Sequence, residues 1–90
     1  MLATYPIYFL DEAQEELKQL REEFDDFEVI WVSVEFCLKK FPDRCGAKPI
    51  GDGNYLKKFQ VNIPSKRQLS VVFKYDNVSV NIVAVRYLLT

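Results

Sequence analysis

Five basic side chains in the second half of the chain are of the type that holds phosphate groups. They lie close together in the sequence, at Lys57, Lys58, Lys66, Arg67 and Lys74. Clustered cations bind nucleic acid by neutralising phosphates and releasing counterions. The cluster therefore predicts a nucleic-acid-binding patch, and an acidic protein segment would also fit it. The alternative for Lys58 and Lys74 is that both are simply solvated residues on a sheet face.

The charge of the chain is divided between its two halves. Residues 1–45 contain five Lys/Arg and eleven Asp/Glu, whereas residues 46–90 contain seven and two, and the formal net charge is −1. The acidic half is predicted to be mostly helical, and the basic half is predicted to form strands. Positive potential is therefore expected to gather on a sheet, with the acidic helices facing away from a nucleic acid.

Composition predicts a single domain, 1–90, without a membrane segment. The hydrophobic fraction of 49% is enough to fill one core between two layers. No stretch approaches the ~20 apolar residues that span a bilayer, and the N-terminus lacks a signal-peptide pattern. A cytoplasmic protein is therefore predicted.

The chain contains no His and only two cysteines, Cys37 and Cys45. Two cysteines are too few for a disulfide framework, and a zinc site would need carboxylates to complete it, so neither a metal nor a cofactor is predicted. Cys37 is interpreted as a buried small side chain, and Cys45, beside Gly46 in a predicted loop, as a candidate exposed thiol. Any catalysis must be built from Lys, Arg, Tyr and carboxylates.

The start of the chain predicts a strand followed by a helix. Residues 5–10 form a short apolar strand, which Pro6 places at a sheet edge because proline cannot donate to the ladder. Asp11, with Gln14 three residues later, is a capping-box pattern and predicts the start of the helix. The apolar stripe of this helix consists of Ala13, Leu17, Leu20 and Phe24.

A second helix is predicted from Phe27 to Phe41, although it contains many strand formers. Val29, Ile30 and Val32 favour a strand by propensity. The apolar side chains nevertheless recur at helical spacing, at Phe27, Ile30, Trp31, Val34, Leu38 and Phe41. Pro42 ends the helix, and residues 43–54, with three glycines, are predicted to be a loop.

Three strands are predicted after the loop. The first contains alternating Phe59, Val61 and Ile63, and a turn at 64–67 leads to the second, which runs from Leu69 to Tyr75. Asp76-Asn77 is a two-residue hairpin signal before the last strand, residues 78–88.

The last strand is predicted to alternate between a packed face and an open face. The packed face is expected to hold Val80, Ile82 and Ala84, and the open face is expected to hold Ser79, Asn81, Val83, Val85 and Tyr87. The predicted fold class is therefore α+β: a two-layer domain of order β-α-α-β-β-β, with an antiparallel sheet packed on two helices.

Five segments are distributed along nearly the whole chain: YPIYFLDEAQEELKQL at 5–20, KPI at 48–50, YLKKFQV at 55–61, LSVVFKY at 69–75 and IVAVR at 82–86. Together they resemble the RelE/ParE toxin superfamily. The resemblance implies a sheet with two helices on one face and an open second face. In the RelE branch that face binds messenger RNA on the ribosome and cleaves it, and in the ParE branch the fold inhibits DNA gyrase. The resemblance also implies a cognate antitoxin as partner, in a bacterial cytoplasm and without a membrane.

The resemblance assigns site residues position by position. Lys58 matches a basic residue of the first long strand, whereas Gln60 replaces the second base. Ser70 stands where relatives have an Arg at the start of the next strand, and Arg67 lies three residues earlier, at the turn. Near the C-terminus, Arg86 and Tyr87 match the basic segment and the catalytic Tyr.

RNA cleavage by attack of a 2′-OH on the adjacent phosphate needs a proton acceptor, cations beside the phosphorane and a proton donor for the leaving oxygen. If Lys58, Lys74 and Tyr87 share the open face, two neighbouring ammonium groups favour loss of a proton from one Lys, which would then act as the base. Tyr87 would donate to the leaving oxygen. The candidate catalytic set is Lys58, Lys74, Arg67, Arg86 and Tyr87.

The leading functional prediction is the toxin of a toxin–antitoxin pair that acts on RNA, as an endoribonuclease with a weakened basic site. The alternative is a non-catalytic binding module, which inhibits a protein target such as DNA gyrase or only binds its antitoxin. Gln60 and Ser70, in place of two cations, favour the binding module.

Overall fold

The computed structural model describes residues 5–25, 27–40, 42, 45–60 and 67–89, with the backbone alone at Gln60, Arg67, Leu88 and Leu89. Two helices are present in this part of the chain, α1 (Asp11–Glu23) and α2 (Phe27–Lys40). The strands are β1 (Ile7–Phe9), β2 (Lys48–Gly51), β3 (Asn54–Gln60), β4 (Arg67–Tyr75) and β5 (Val80–Leu89). None of the helices described is long and apolar enough to cross a membrane.

The strands form one sheet in the order β1-β5-β4-β3-β2. The α+β class and the two helices are confirmed, but the prediction of an antiparallel sheet is wrong. β1 pairs in parallel with β5, with Ile7 opposite Val80, whereas the other neighbours are antiparallel. A parallel pair needs a long connection, and here both helices and three strands lie between its two members.

The sheet has five strands rather than the four predicted, because the predicted loop at 43–54 contains β2. Pro49 and Gly51 argue against a strand, yet this segment pairs with β3 as a hairpin, with Lys48 opposite Leu56. Proline is tolerated at a sheet edge, where its missing N–H faces solvent. The turn takes positive φ angles at Gly51 (103°), Asp52 (55°) and Gly53 (77°), and only the two glycines adopt these without strain.

Helix α1 begins at Asp11, but the predicted capping box does not form. Leu10 is the N-cap, in an extended conformation, and it accepts from the backbone N–H of Gln14 through its carbonyl, without a side-chain cap. Asp11 is therefore the first helical residue, where its carboxylate favours the positive end of the helix dipole. Ala13 and Leu17 are buried, as their spacing predicted.

Helix α2 is confirmed despite its strand-forming residues. The predicted stripe is buried at Phe27, Ile30, Trp31, Val34 and Leu38, while Phe41 lies outside the described residues. Trp31 is 1% exposed, and its ring lies 5.9 Å from the rings of both Phe9 and Phe27, measured between centroids. Burial of this stripe against the sheet outweighs the strand propensity of the individual residues.

A β-bulge at Val83 changes the face on which the end of β5 packs. Val72 pairs with Ala84 and Phe73 pairs with Ile82, so Val83 is an extra residue between them. One extra residue sends every later side chain to the opposite face. The predicted alternation is therefore wrong after Ile82: Val85 and Tyr87 join the core at 1% and 7% exposure.

The Asp76-Asn77 signal correctly marks the place of a turn, but the prediction of a two-residue hairpin is wrong, because β4 ends at Tyr75 and β5 begins at Val80, with four residues between them. The Asp76 carboxylate accepts hydrogen bonds from the backbone N–H groups of Val78 (2.7 Å) and Ser79 (2.8 Å). These bonds favour the charged form and hold the pKa of Asp76 below its usual value. The stabilisation that these bonds give is fully present at a pH above the pKa of Asp76 in the unfolded chain. It is lost as the pH falls through the lower pKa of Asp76 in the folded protein.

We expect an Asp76→Asn variant to lose less stability on acidification than the parent chain. The amide oxygen can still accept both hydrogen bonds but does not titrate. The measurement is the urea midpoint between about pH 5 and about pH 2, the range over which a hydrogen-bonded carboxylate is protonated. An equal fall in both proteins would show that these bonds contribute nothing to acid sensitivity.

Candidate nucleic-acid interface

The sheet has an inner face against the helices and an open face on the other side. The core takes alternate residues of the central strands, including Leu69, Val71 and Phe73 of β4. The open face consists of the described side chains between them and their partners in register: Leu56, Lys58, Gln68, Ser70, Val72, Lys74, Asn81, Ala84 and Arg86. It therefore carries three cations around a partly apolar centre.

One row of the open face brings together two of the predicted cations. Lys58 is paired with Ser70, and Ser70 with Arg86, across three adjacent strands. Lys58 and Arg86 are both exposed. Since neighbouring strands lie ~4.8 Å apart, the backbones of these two cations are roughly 10 Å apart, with the Ser70 hydroxyl between them.

Lys74 does not join this row. It lies four residues beyond Ser70 on β4, roughly 13 Å along the strand, and is paired with Asn81. The prediction that the ammonium groups of Lys58 and Lys74 are neighbours is therefore wrong. The prediction that these two residues share a sheet face is correct, but the distance along the strand separates their charges.

Tyr87 lies on the inner face, so its predicted place beside Lys58 and Lys74 is also wrong. Its ring packs edge-on against Phe24 at 4.9 Å and Phe27 at 5.9 Å between centroids. The side chain is 7% exposed. The bulge at Val83 is the physical reason, because it turns Tyr87 inwards. A proton donor for a phosphate on the open face cannot come from this position.

Glu16 of α1 neutralises Arg86 at the edge of the sheet. One oxygen of its carboxylate forms an ion pair with the Arg86 guanidinium, and the other accepts from the backbone N–H of Val85 at 3.1 Å. β1 pairs with β5 only from Val80 to Ile82, which leaves the N–H of Val85 at an edge. Nothing in the acidic sequence of α1 distinguishes Glu16 from its neighbours, so the sequence does not predict this contact.

Three lysines converge on a pocket beside the edge of β3. The pocket has a volume of about 300 Å³ and is lined by Lys48, Lys57 and Lys58 together with Gly46 and Leu56. β2 ends its pairing with β3 at Leu56, so the two lysines that follow reach the pocket from opposite faces of β3, along a part of its edge that no described strand pairs with. We call this set of residues the lysine pocket.

Gly46 leaves room for one of the three ammonium groups. It has a φ of +83°, and a Cβ placed there would lie 3.2 Å from the Lys57 Nζ. A larger residue would therefore be strained and would crowd Lys57. Lys48 was missed as a site residue, because it lies in what the sequence predicted to be a loop.

The remaining predicted cations are only partly placed. Lys66 lies outside the described residues. The backbone of Arg67 is at the start of β4, opposite Leu89, which is the end of the strand away from Lys74. Of the five clustered basic residues, the described side chains of Lys57 and Lys58 therefore meet in the lysine pocket, while Lys74 lies apart from them.

A larger pocket, of about 580 Å³, lies elsewhere in the molecule. Its lining includes three carboxylates, Glu15, Glu22 and Glu35, against two cations, Lys18 and Arg21. The cation Lys39, 3.5 Å from Glu35, forms an ion pair with it. Because anions predominate in the lining, this pocket is poorly suited to phosphate, and its size alone does not make it the functional site.

The lysine pocket and the open face are suited to binding an anion more than to transforming one. Ammonium groups supply positive charge and hydrogen-bond donors, and the described lining of the pocket offers no carboxylate or tyrosine to move a proton.

Comparison of the sequence with protein-family models and with curated proteins finds no match.

Proposed function

We propose that the chain is a RelE/ParE-like component of a toxin–antitoxin pair that binds single-stranded RNA without cutting it. The observation that supports this most directly is the convergence of Lys48, Lys57 and Lys58 on one pocket. A phosphate in that pocket would meet three positive charges, and the strand would continue from Lys58 across the open face. The ligand in the cell would be messenger RNA, free or on the ribosome, and the controlling partner a cognate antitoxin.

The electrostatics of the second half of the chain supports binding. Residues 46–90 hold seven basic and two acidic side chains, and the lysine pocket lies in this half. Close positive charges concentrate counter-ions locally even when the whole protein is near neutral. Each phosphate bound there would release counterions, so the affinity must depend steeply on salt.

The arrangement of the predicted catalytic residues argues against cleavage. Tyr87 packs in the core, and Lys74 is roughly 13 Å along its strand from the Lys58 row. Arg86, which lies in that row, is already paired with Glu16. A phosphorane on the open face would therefore lack a positioned proton donor and part of the positive charge that stabilises it.

A protein target is the second candidate function, and one feature favours it. The centre of the open face is apolar, with Leu56, Val72 and Ala84 in one row across three strands. Ile50, on the adjacent edge strand, is 51% exposed. Apolar centres with polar rims are typical of protein interfaces. This surface would suit either an antitoxin segment or a ParE-like target such as DNA gyrase.

We expect Lys48→Ala and Lys58→Ala each to weaken the binding of labelled oligouridine. Each substitution should also flatten the slope of log affinity against log salt by roughly 0.7 to 1, because one phosphate contact is lost. The measurement is fluorescence anisotropy at several salt concentrations between about 50 and about 200 mM. Lys74→Ala should change the slope less, since Lys74 lies outside the pocket.

Lys18→Ala is the matched control for this titration. It removes the same charge from the exposed face of α1, where acidic residues surround it. If Lys18→Ala weakens binding as much as Lys48→Ala does, the protein attracts RNA through its net charge alone and the proposed pocket is wrong. If the parent chain binds no RNA at low salt, the protein-target candidate takes its place. Inhibition of DNA gyrase supercoiling then tests that candidate directly.

A further inference from the structure

The outer side of α2 carries an apolar stripe that faces away from the sheet. Val29, Val32 and Phe36 follow one another at spacings of three and four residues, so they lie on one side of the helix, opposite the buried Trp31 and Val34. Their side chains are 76%, 64% and 57% exposed. Exposed apolar surface that is contiguous and bordered by polar residues is typical of a protein interaction site. We call these three residues the outer stripe.

Charged side chains of opposite sign lie at the two ends of the outer stripe. Asp25, four residues before Val29, is exposed in the turn that precedes α2. Lys40, four residues after Phe36, is the last residue of α2, and its Nζ lies over the Phe36 ring, 4.5 Å from the centroid. The order along this surface is therefore acid, apolar residues, base. Because the order reversed end to end places each charge opposite the other sign, the surface is complementary to an antiparallel copy of itself.

We propose that two copies of the chain associate through α2, with their outer stripes packed antiparallel about a twofold axis. In such a pair Val29 of one protomer packs against Phe36 of its partner, and the reverse contact follows by symmetry. Val32 lies beside the axis, next to its own copy. Asp25 and Lys40 face each other at both ends of the contact. This inference does not depend on the proposed function.

The size of the contact predicts a transient dimer. With 14 residues, α2 is roughly 21 Å long, and a helix with its side chains is about 10 Å wide. A contact of this size covers less than the ~800 Å² per partner of a standard interface. We expect a dissociation constant on the order of 100 µM, so the chain is a monomer at the low micromolar concentrations at which unfolding is measured. Since the outer stripe faces away from the sheet, the open face stays uncovered in both protomers.

Sedimentation equilibrium of the full chain between about 10 µM and about 1 mM measures the dissociation constant. The buffer contains a reductant, because Cys37 of α2 is only partly buried and a disulfide-linked dimer must not be counted. Cys45 is 9% exposed and donates to the carbonyl oxygen of Pro42 at 3.5 Å, so it is not the exposed loop thiol that the sequence suggested. A chain that stays monomeric at the highest concentration overturns the proposal.

Val32→Lys should weaken the dimer by about tenfold or more, because it places two ammonium groups side by side at the axis. Val78→Lys is the matched control. Val78 is 73% exposed in the turn before β5, so the same substitution there changes an equally exposed apolar residue away from α2. The control should leave the dissociation constant unchanged. An equal loss in both variants would mean that the copies associate without using the outer stripe, and the proposal would be wrong.

Lys40→Glu tests the antiparallel arrangement. It places a carboxylate against Asp25 of the other protomer at both ends of the contact, so we expect the dimer to weaken by about 3- to 10-fold. Adding Asp25→Lys exchanges the two charges and should restore most of the affinity. If the double variant stays as weak as Lys40→Glu, the two ends do not face each other and the arrangement is wrong.

Nuclear Overhauser contacts in a mixture of isotope-labelled and unlabelled parent chain test the same pairing without any variant. Contacts between the Val29 methyl groups of one protomer and the Phe36 ring of the other are expected. Intermolecular contacts confined to other residues would overturn the proposal, even where the chain dimerises.

Discussion

Replacing Trp31 by Ala should lower the free energy of unfolding by about 3 to 5 kcal/mol, because the loss of buried surface and the cavity left behind add together. Trp31 is 1% exposed and fills the space between Phe9 of β1 and Phe27 of α2. It is therefore the side chain that joins the second helix to the edge of the sheet. Urea denaturation followed by far-UV circular dichroism is the suitable measurement, since the variant has no other tryptophan to report by fluorescence.

Val32→Ala on the same helix is the matched control for Trp31→Ala. Val32 is 64% exposed, so its truncation should change the free energy of unfolding by less than about 0.5 kcal/mol. If Trp31→Ala unfolds the chain outright, Trp31→Phe gives a smaller loss that can still be measured. A loss below about 1 kcal/mol for Trp31→Ala would mean that the ring is not in the core.

The success of the sequence prediction for α2 has a clear physical basis. Val29 and Val32 are strand formers, yet they lie at 76% and 64% exposure on the outer side of a helix. Trp31 and Val34 lie on the side that contacts the sheet. Propensity differs among residues by fractions of a kcal/mol, whereas burying one large side chain is worth several times more. The period of the buried residues was therefore the reliable signal.

The failure of the prediction for β5 has an equally specific cause. The run from Ile82 to Val85 is apolar at every position, so its sequence does not show which side chains face the core. The extra residue at Val83 appears only in the pairing with β4. That single insertion moved Tyr87 from the predicted site into the core, and no local property of the sequence marks it.

The candidate site was predictable only in part for a related reason. The alternation of β3 and β4 correctly placed Lys58 and Lys74 on one face, but distances along and across the sheet depend on register. The lysine pocket depends on the residue at which β2 stops pairing with β3, and this is a property of the folded sheet that the sequence does not show. Sequence reasoning therefore identified the face and its sign of charge, whereas the grouping of Lys48 with Lys57 and Lys58 needed the structure.

The chain should cut ribosome-bound messenger RNA roughly 10⁴- to 10⁶-fold more slowly than a fully equipped RelE-type nuclease. Removing one positioned electrostatic donor typically slows a reaction by about 10²- to 10³-fold, and the resemblance to RelE-type nucleases implies that Gln60 and Ser70 stand where two such donors would be. Tyr87, in the core, cannot supply a proton to the open face. Primer extension on messages from translating ribosomes is the measurement. Cuts within the codon being decoded, at a rate near that of an active RelE-type nuclease, would contradict this expectation.

Growth after expression without a partner gives an independent test, through two variants with opposite expectations. If expression slows growth by RNA binding, Lys58→Ala should relieve the inhibition, because Lys58 belongs both to the lysine pocket and to the open face. Tyr87→Phe should leave the inhibition intact at equal protein levels, since it removes one hydroxyl from an inward-facing ring and leaves the packing against Phe24 and Phe27 in place. A nuclease that used Tyr87 as its proton donor would show the reverse pattern for this variant, with most of the inhibition lost. That result would mean that the C-terminal half of β5 presents Tyr87 to the ligand. The proposal of a non-cleaving function would then be wrong, and so would the placement of Tyr87 on the inner face by the bulge at Val83.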